Sequence, residues 1–301
     1  MSGQKPDLAV TGTPAPDLRL VLAFRKDSTA RLENLNTVLR YLVRLLPGAE
    51  ILIFEDSAEP SLQHVSKHPS ARHVWRRNTG IFHRTRLLNH AMLDPNAPAL
   101  VAAWDCDVLA CPAGLALALS ELRAGAGMAL PYDGRFIDLR GDARQSLVTA
   151  SDTAWLPGAP YPSYRPWLSF LRSGSVCENV SALGGAVLFR REVLSAAGGY
   201  HEGFRSWGYE DIELAHRMTA LGHPPRRAQG WPLFHLSHPR DTLHRLGTPQ
   251  SWYVARRQNR ALNDAMSALS PAELAYLIAS GGLRGPDEAP PLPNLSRGRH
   301  V

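Results

Sequence analysis

The sequence predicts one α/β domain whose central sheet is mixed, mostly parallel and flanked by helices. An apolar run of strand length, LRLVLAF from Leu18 to Phe24, is followed at once by a polar stretch with helical periodicity. Two further apolar runs, AEILIFEDS and APALVAAWDCDV, repeat the pattern of a buried strand. Each of these ends in acids, Glu55 and Asp56 in one, Asp105 and Asp107 in the other. Strands that alternate with helices and carry polar residues at their C-terminal ends place a ligand crevice at those ends. With 301 residues, 44% of them hydrophobic, the chain can bury a sizeable core.

Taken in order, residues 1–17 have the composition of a disordered leader. After the first strand, RKDSTARLENLNTVLRYLVRLL carries Leu32, Leu35, Leu39, Leu42 and Leu46 at helical spacing. The stretch from Asp133 to Asn179 is rich in Pro, Gly, Ser and aromatics, which reads as a long binding loop. In RSWGYEDIELAHRM, a helix follows a Trp-Gly pair and opens with Glu210, Asp211 and Glu213. Acids in a first turn complement the positive end of the helix dipole, so a purely structural role stands beside a chemical one. Beyond Ser280 the composition is that of a flexible tail, 281–301, which leaves 18–280 as the folded domain.

No window has the apolar length of a membrane span, and the N-terminus lacks the basic start and apolar block of a signal peptide. A cytoplasmic location is the expectation. The three cysteines, Cys106, Cys111 and Cys177, make neither a disulfide framework nor a zinc site and read as free thiols. The net charge is +6, and Lys5, Lys26 and Lys67 are the lysines among 33 basic residues. Arginine's fork of donors suits a nucleotide diphosphate or an anionic membrane surface, so peripheral membrane association is compatible with it. No basic run, basic-aromatic stripe or nucleic-acid motif occurs, and a nucleic-acid partner is not expected.

Asp105 and Asp107 of WDCDV sit two apart where a strand ends, an arrangement that offers hard oxygen ligands to a divalent cation. The triplet alone recurs by chance. In FHLSHPRD, His235 and His238 stand three apart after an apolar run. A carboxylate with imidazole, and positions left for phosphate oxygens, suits manganese better than magnesium. Neither glycine-rich phosphate loop, of the P-loop or the dinucleotide type, is present.

AFRKD, FHRTRLLNHAM, WDCDV, LGGAVLFRREVLSAAGGYHEGFRSWGYEDIELAHRM and FHLSHPRD occur in this order. So arranged, the chain resembles GT-A glycosyltransferases, in its C-terminal half the β-1,4-galactosyltransferase family and bacterial chondroitin-polymerase-like domains. The resemblance runs from about Leu18 to Asp241. It implies a GT-A fold with a nucleotide-binding half, 18–130, and an acceptor half, 131–280.

It implies nucleotide contacts from Phe24, Arg25, Glu55, Asp56, Phe82, Arg84, Arg86 and Asp105, with Ala23 where the family has proline and His83 where it has asparagine. Asp107, His235 and His238 would be the metal ligands, and which imidazole binds more strongly stays open. Ala182, Gly184, Gly185 and Trp207 would line the sugar. Asp211 would be the general base and Glu210 would hold hydroxyls, with Tyr209 in place of the family's second glycine. The activity implied is inverting, Mn2+-dependent transfer of a hexose or N-acetylhexosamine from a UDP-sugar to a hydroxyl of a glycan or other acceptor. A nucleotidyltransferase of similar sheet topology and a basic, non-catalytic nucleotide- or nucleic-acid-binding protein are the alternatives; the first has no use for the Trp-Gly-x-Glu-Asp element.

Overall fold

A computed structural model describes residues 12–62, 69–150, 176–179, 182–206, 208–239, 249–285 and 299–300. Strand β1 (Leu18–Phe24) is buried along its whole length, as a continuous apolar run demands when both faces are covered. Helix α1 (Thr29–Leu45) starts where the Ser28 side chain accepts from the Arg31 N–H, and it buries Leu35, Leu39 and Leu42. Strands β2 (Glu50–Ser57) and β3 (Ala71–Arg77) follow, then helix α2 (Arg84–Met92) and strand β4 (Leu100–Trp104). After β5 (Val108–Ala110) come helix α3 (Pro112–Arg123), β6 (Met128–Leu130), β7 (Phe136–Leu139), helix α4 (Gly141–Ala150) and β8 (Val176–Asn179). The C-terminal part runs β9 (Ala186–Arg190), α5 (Arg191–Ala196), α6 (Glu210–Ala220), β10 (Arg226–Arg227), β11 (Leu233–Leu236), α7 (Pro249–Ser267), α8 (Pro271–Ala279) and β12 (Arg299–His300).

The main sheet has the order β10-β6-β9-β4-β1-β2-β3-β12. β1 pairs in parallel with β2 and β4, and β2 with β3, while β9 and β12 run antiparallel to their neighbours. The expected mixed, mostly parallel sheet is therefore present. A second sheet, β5-β11-β7-β8, stands beside it. The chain passes from one sheet to the other through Asp105-Cys106-Asp107, between β4 and β5. Among the described residues no helix is long and apolar enough to cross a membrane. Cys106 and Cys111 are buried thiols outside any disulfide.

Three expectations are corrected. The segment 133–179 is not irregular throughout: β7, α4 and β8 lie in it, and 151–175 falls outside the described residues. The leader is anchored over 12–17, where Ala15 is wholly buried and the Thr13 N–H donates to the Leu45 carbonyl at 2.7 Å. At the other end 281–285 belongs to the fold, since Leu283 is buried and its carbonyl accepts from the Glu202 N–H at 2.8 Å. Short polar stretches become ordered when their backbone groups find partners on the body of the protein.

Candidate active site

Asp107, His235 and His238 bring one potential ligand atom each to within 4.8 Å of one another. Asp107 arrives from the β4–β5 turn, held by its carbonyl accepting from the Leu236 N–H at 2.7 Å. His235 lies on β11, and His238 on the segment that follows it. The His235 Nδ1 donates to Asp138 Oδ1 at 2.7 Å, from the neighbouring position on β7, and the His238 Nδ1 donates to the Pro239 carbonyl at 2.9 Å. The two Nε2 atoms face Asp107 at 3.8 and 3.1 Å, and that of His238 also lies 3.3 Å from Arg31 Nη1. Burial works against the Asp107 charge, but His235, His238 and Arg31 outweigh it and hold the carboxyl well below its usual range. Two lone pairs and a carboxylate converging on one point, with both imidazoles oriented from behind, fit a divalent cation.

Beyond this trio lies a hub of charge on Arg84, the first residue of α2. Its Nη2 donates to Asp105 Oδ1 at 2.9 Å, and its Nη1 stands 3.5 Å from Asp211 Oδ1 and 3.7 Å from Glu210 Oε1. Arg84 Nη1 and Glu210 Oε2 are buried without a hydrogen-bond partner. Glu210 and Asp211 open α6 behind Tyr209, whose left-handed backbone (φ 74°) turns the chain into the helix. Burial, then the neighbouring Asp211, pushes the Glu210 carboxyl up to about 7. Asp211 Oδ1 accepts from the Tyr200 hydroxyl at 3.0 Å. Its other oxygen lies over Gly184, where an added Cβ would meet it at 2.3 Å. The Tyr132 hydroxyl donates to the Gly184 carbonyl at 2.6 Å and fixes this strand entry.

The structure thus brings together Arg84, Asp105, Asp107, Gly184, Glu210, Asp211, His235 and His238. The nucleotide-side expectations divide. Arg25 lies 5.4 Å from the Phe82 ring centroid and donates to the Asp56 carboxylate and to the Gly80 carbonyl. Arg86 Nη1 is buried without a hydrogen-bond partner. Phe24, Glu55 and Asp56 are wholly buried. The two acids are paired within the protein. Glu55 accepts from Ser57, Ser61 and His73, which outweigh burial and hold its carboxyl below the usual range, and Asp56 accepts from Arg25, Arg76 and Asn78.

Ala182 is partly buried, its N–H donating to the Gly134 carbonyl and its carbonyl accepting from Arg227. Gly185 packs where a Cβ would meet Leu233 at 2.8 Å, with φ +88°. Trp207 lies outside the described residues. Sequence reasoning missed Arg31, Asp138, Tyr132 and Tyr200. Arg31 is the most consequential, because its Nη1 reaches His238 Nε2 at 3.3 Å across 207 positions of sequence.

A search of the curated proteins finds no match to the chain. Among solved structures, a Drosophila β1,4-galactosyltransferase 7 variant with manganese, UDP-Gal and xylobiose aligns at 17% identity over 74% of this chain and 71% of its own, with a TM-score of 0.43. GalNAc-T7 with UDP, GalNAc and Mn2+ aligns at 13% identity over 88% and 54%, with a TM-score of 0.48. The mannosyltransferase PcManGT of Pyrobaculum calidifontis, with GDP-Man and Mn2+, aligns at 17% identity over 90% and 76%, with a TM-score of 0.44. Likeness at this level concerns the path of the chain alone. Residues 174–239 match the sequence profile of a family described as the N-terminal domain of galactosyltransferase. Over that segment, which holds Gly184, Glu210, Asp211 and both histidines, the chain resembles the galactosyltransferases.

Proposed function

We propose that the chain is an inverting, metal-dependent glycosyltransferase that moves a hexose or N-acetylhexosamine from a UDP-sugar to a hydroxyl of a glycan or related acceptor. The observation that carries this reading is the placing of Asp211 over Gly184, beside Arg84 and Asp105, in the same galactosyltransferase-like segment as His235 and His238. A sugar hydroxyl is a poor nucleophile until a carboxylate within reach accepts its proton. Asp211 is that acceptor: Tyr200 and Arg84 fix one of its oxygens, and the other faces the backbone of Gly184. Glu210, with its buried free oxygen, holds the incoming hydroxyl.

Asp107, His235 and His238 are the residues to hold a divalent cation, and the chemistry it supplies is neutralisation of charge on the departing diphosphate. Arg84, paired with Asp105, contributes a cationic group beside it. We take the chain to act in the cytoplasm on a soluble donor, with peripheral membrane contact compatible with its net charge of +6. Ala182, in the position that the resemblance sets against the donor's C2 substituent, leaves room for an acetamido group and favours an N-acetylhexosamine donor.

A thermal-shift experiment tests the reading, because a ligand that binds only the folded state raises its apparent stability. UDP with Mn2+ should raise the unfolding temperature of the wild type and leave that of Asp107→Ala unmoved. No shift in the wild type with any UDP-sugar and Mn2+ would end the proposal. Donor competition between UDP-galactose and UDP-N-acetylgalactosamine then tests Ala182. Ala182→Tyr should move the preference toward galactose by roughly ten- to two-hundredfold.

A further inference from the structure

We propose that Arg31 couples entry of the divalent cation to capture of the donor's diphosphate, by occupying the cation's ligands until the ion displaces it. The inference rests on the function proposed above and adds a residue to it. Arg31 stands in the first turn of α1, its backbone N–H committed to the Ser28 hydroxyl oxygen. Its side chain, 12% exposed, leaves that helix for the histidine segment. Nη1 donates to His238 Nε2 at 3.3 Å and lies 3.9 Å from Asp107 Oδ2 and 3.7 Å from Asp27 Oδ2. Nε is buried with no hydrogen-bond partner.

His238 has one lone pair to give, because its Nδ1 is spent on the Pro239 carbonyl. A guanidinium N–H and a divalent cation cannot both take it. The same competition holds at the nearer oxygen of Asp107. Arriving ion therefore strips Arg31 of its acceptor on His238 and weakens its hold on Asp107, leaving Asp27 as the carboxylate it still faces. A largely buried guanidinium with unfilled donors is costly, and it is relieved by an anion that matches its fork. The diphosphate is the anion that comes to this place, and guanidinium pairs with phosphate oxygens in a bidentate manner. Before displacement the positive charge on Arg31 also repels the ion. The cation alone thus binds weakly, the cation with nucleotide binds tightly, and the two affinities are linked through one side chain.

Mn2+ binding, followed by the electron paramagnetic resonance of the free ion with and without UDP, reads this directly. In the wild type UDP should tighten Mn2+ binding by about tenfold or more. Arg31→Met should bind Mn2+ alone about tenfold more tightly and lose most of the tightening by UDP. Arg31→Lys keeps the charge but not the fork, so it should keep the weak affinity for Mn2+ alone and still lose coupling to UDP. The lysine variant also serves if the methionine variant does not fold. Arg31→Met that binds Mn2+ as the wild type does and keeps the response to UDP overturns the inference and leaves the proposed function standing. A wild type that binds no Mn2+ even with UDP overturns both.

Discussion

Asp211 owes its place to the missing side chain of Gly184. Gly184→Ala sets a methyl 2.3 Å from Oδ2, so the carboxylate must move away from the position we assign to the acceptor hydroxyl. Turnover should fall at least tenfold in this variant with little change in UDP and Mn2+ affinity. Asp211→Asn keeps shape and removes the proton acceptor, and should cost about a hundredfold or more in kcat on the same affinities. A normal kcat in Asp211→Asn would return the helix mouth to a capping role.

Glu210 gives a prediction in pH. Burial, then Asp211, raises its folded value from 4.5 to about 7, so between those two values the folded state binds a proton that the unfolded state has released. The Glu210 contribution therefore weakens folding as pH rises through this window, and the loss is complete above about 7. Glu210→Gln cannot ionise. Its stability relative to the wild type should increase from pH 4.5 to pH 8, measured as the difference in urea midpoints.

At the scale of elements, the three acids that open α6 do different work. Glu210 and Asp211 face the site, whereas Glu213 is 1% exposed and pairs with Arg217 through two hydrogen bonds, at 2.7 and 2.8 Å. Arg217 in turn donates to the carbonyls of Ala197 and Gly199 and ties α6 to the turn after α5. Glu213→Ala leaves a buried guanidinium without its carboxylate and should cost about 3 kcal/mol in urea unfolding. Glu213→Leu combined with Arg217→Met should recover most of that loss. The acidic cluster was legible in the sequence, but the division of labour was not, because it depends on which acid meets Arg84 and which meets Arg217. β1, β2, β4 and α1 were legible for a simpler reason: strands buried on both faces and a leucine stripe leave unbroken patterns. β3 carries Arg72, His73 and Arg76, whose partners Glu50, Glu55 and Asp56 lie on β2, so its polarity hid the strand.

Over the whole molecule, the termini of the folded body are set by packing. Leu283 lies against Gly198, where a Cβ would meet its Cδ1 at 2.6 Å, and its side chain is 2% exposed. Leu283→Ala should therefore cost about 2 kcal/mol or more, whereas a flexible tail would give no change in the urea midpoint. Composition marked this stretch as tail because one leucine among Gly, Arg and Pro carries no periodicity. The same limit hid Arg31 and Asp138, whose partners lie 207 and 97 positions away. Those separations also bear on the order of folding. β11 is seated between β5 and β7, so the histidines cannot meet Asp107 until three distant segments have docked and their loop closure has been met. If the site closes after the rate-limiting step, a bound cation should slow unfolding and leave the refolding rate unchanged; a refolding rate that rises with the cation would place the closure earlier.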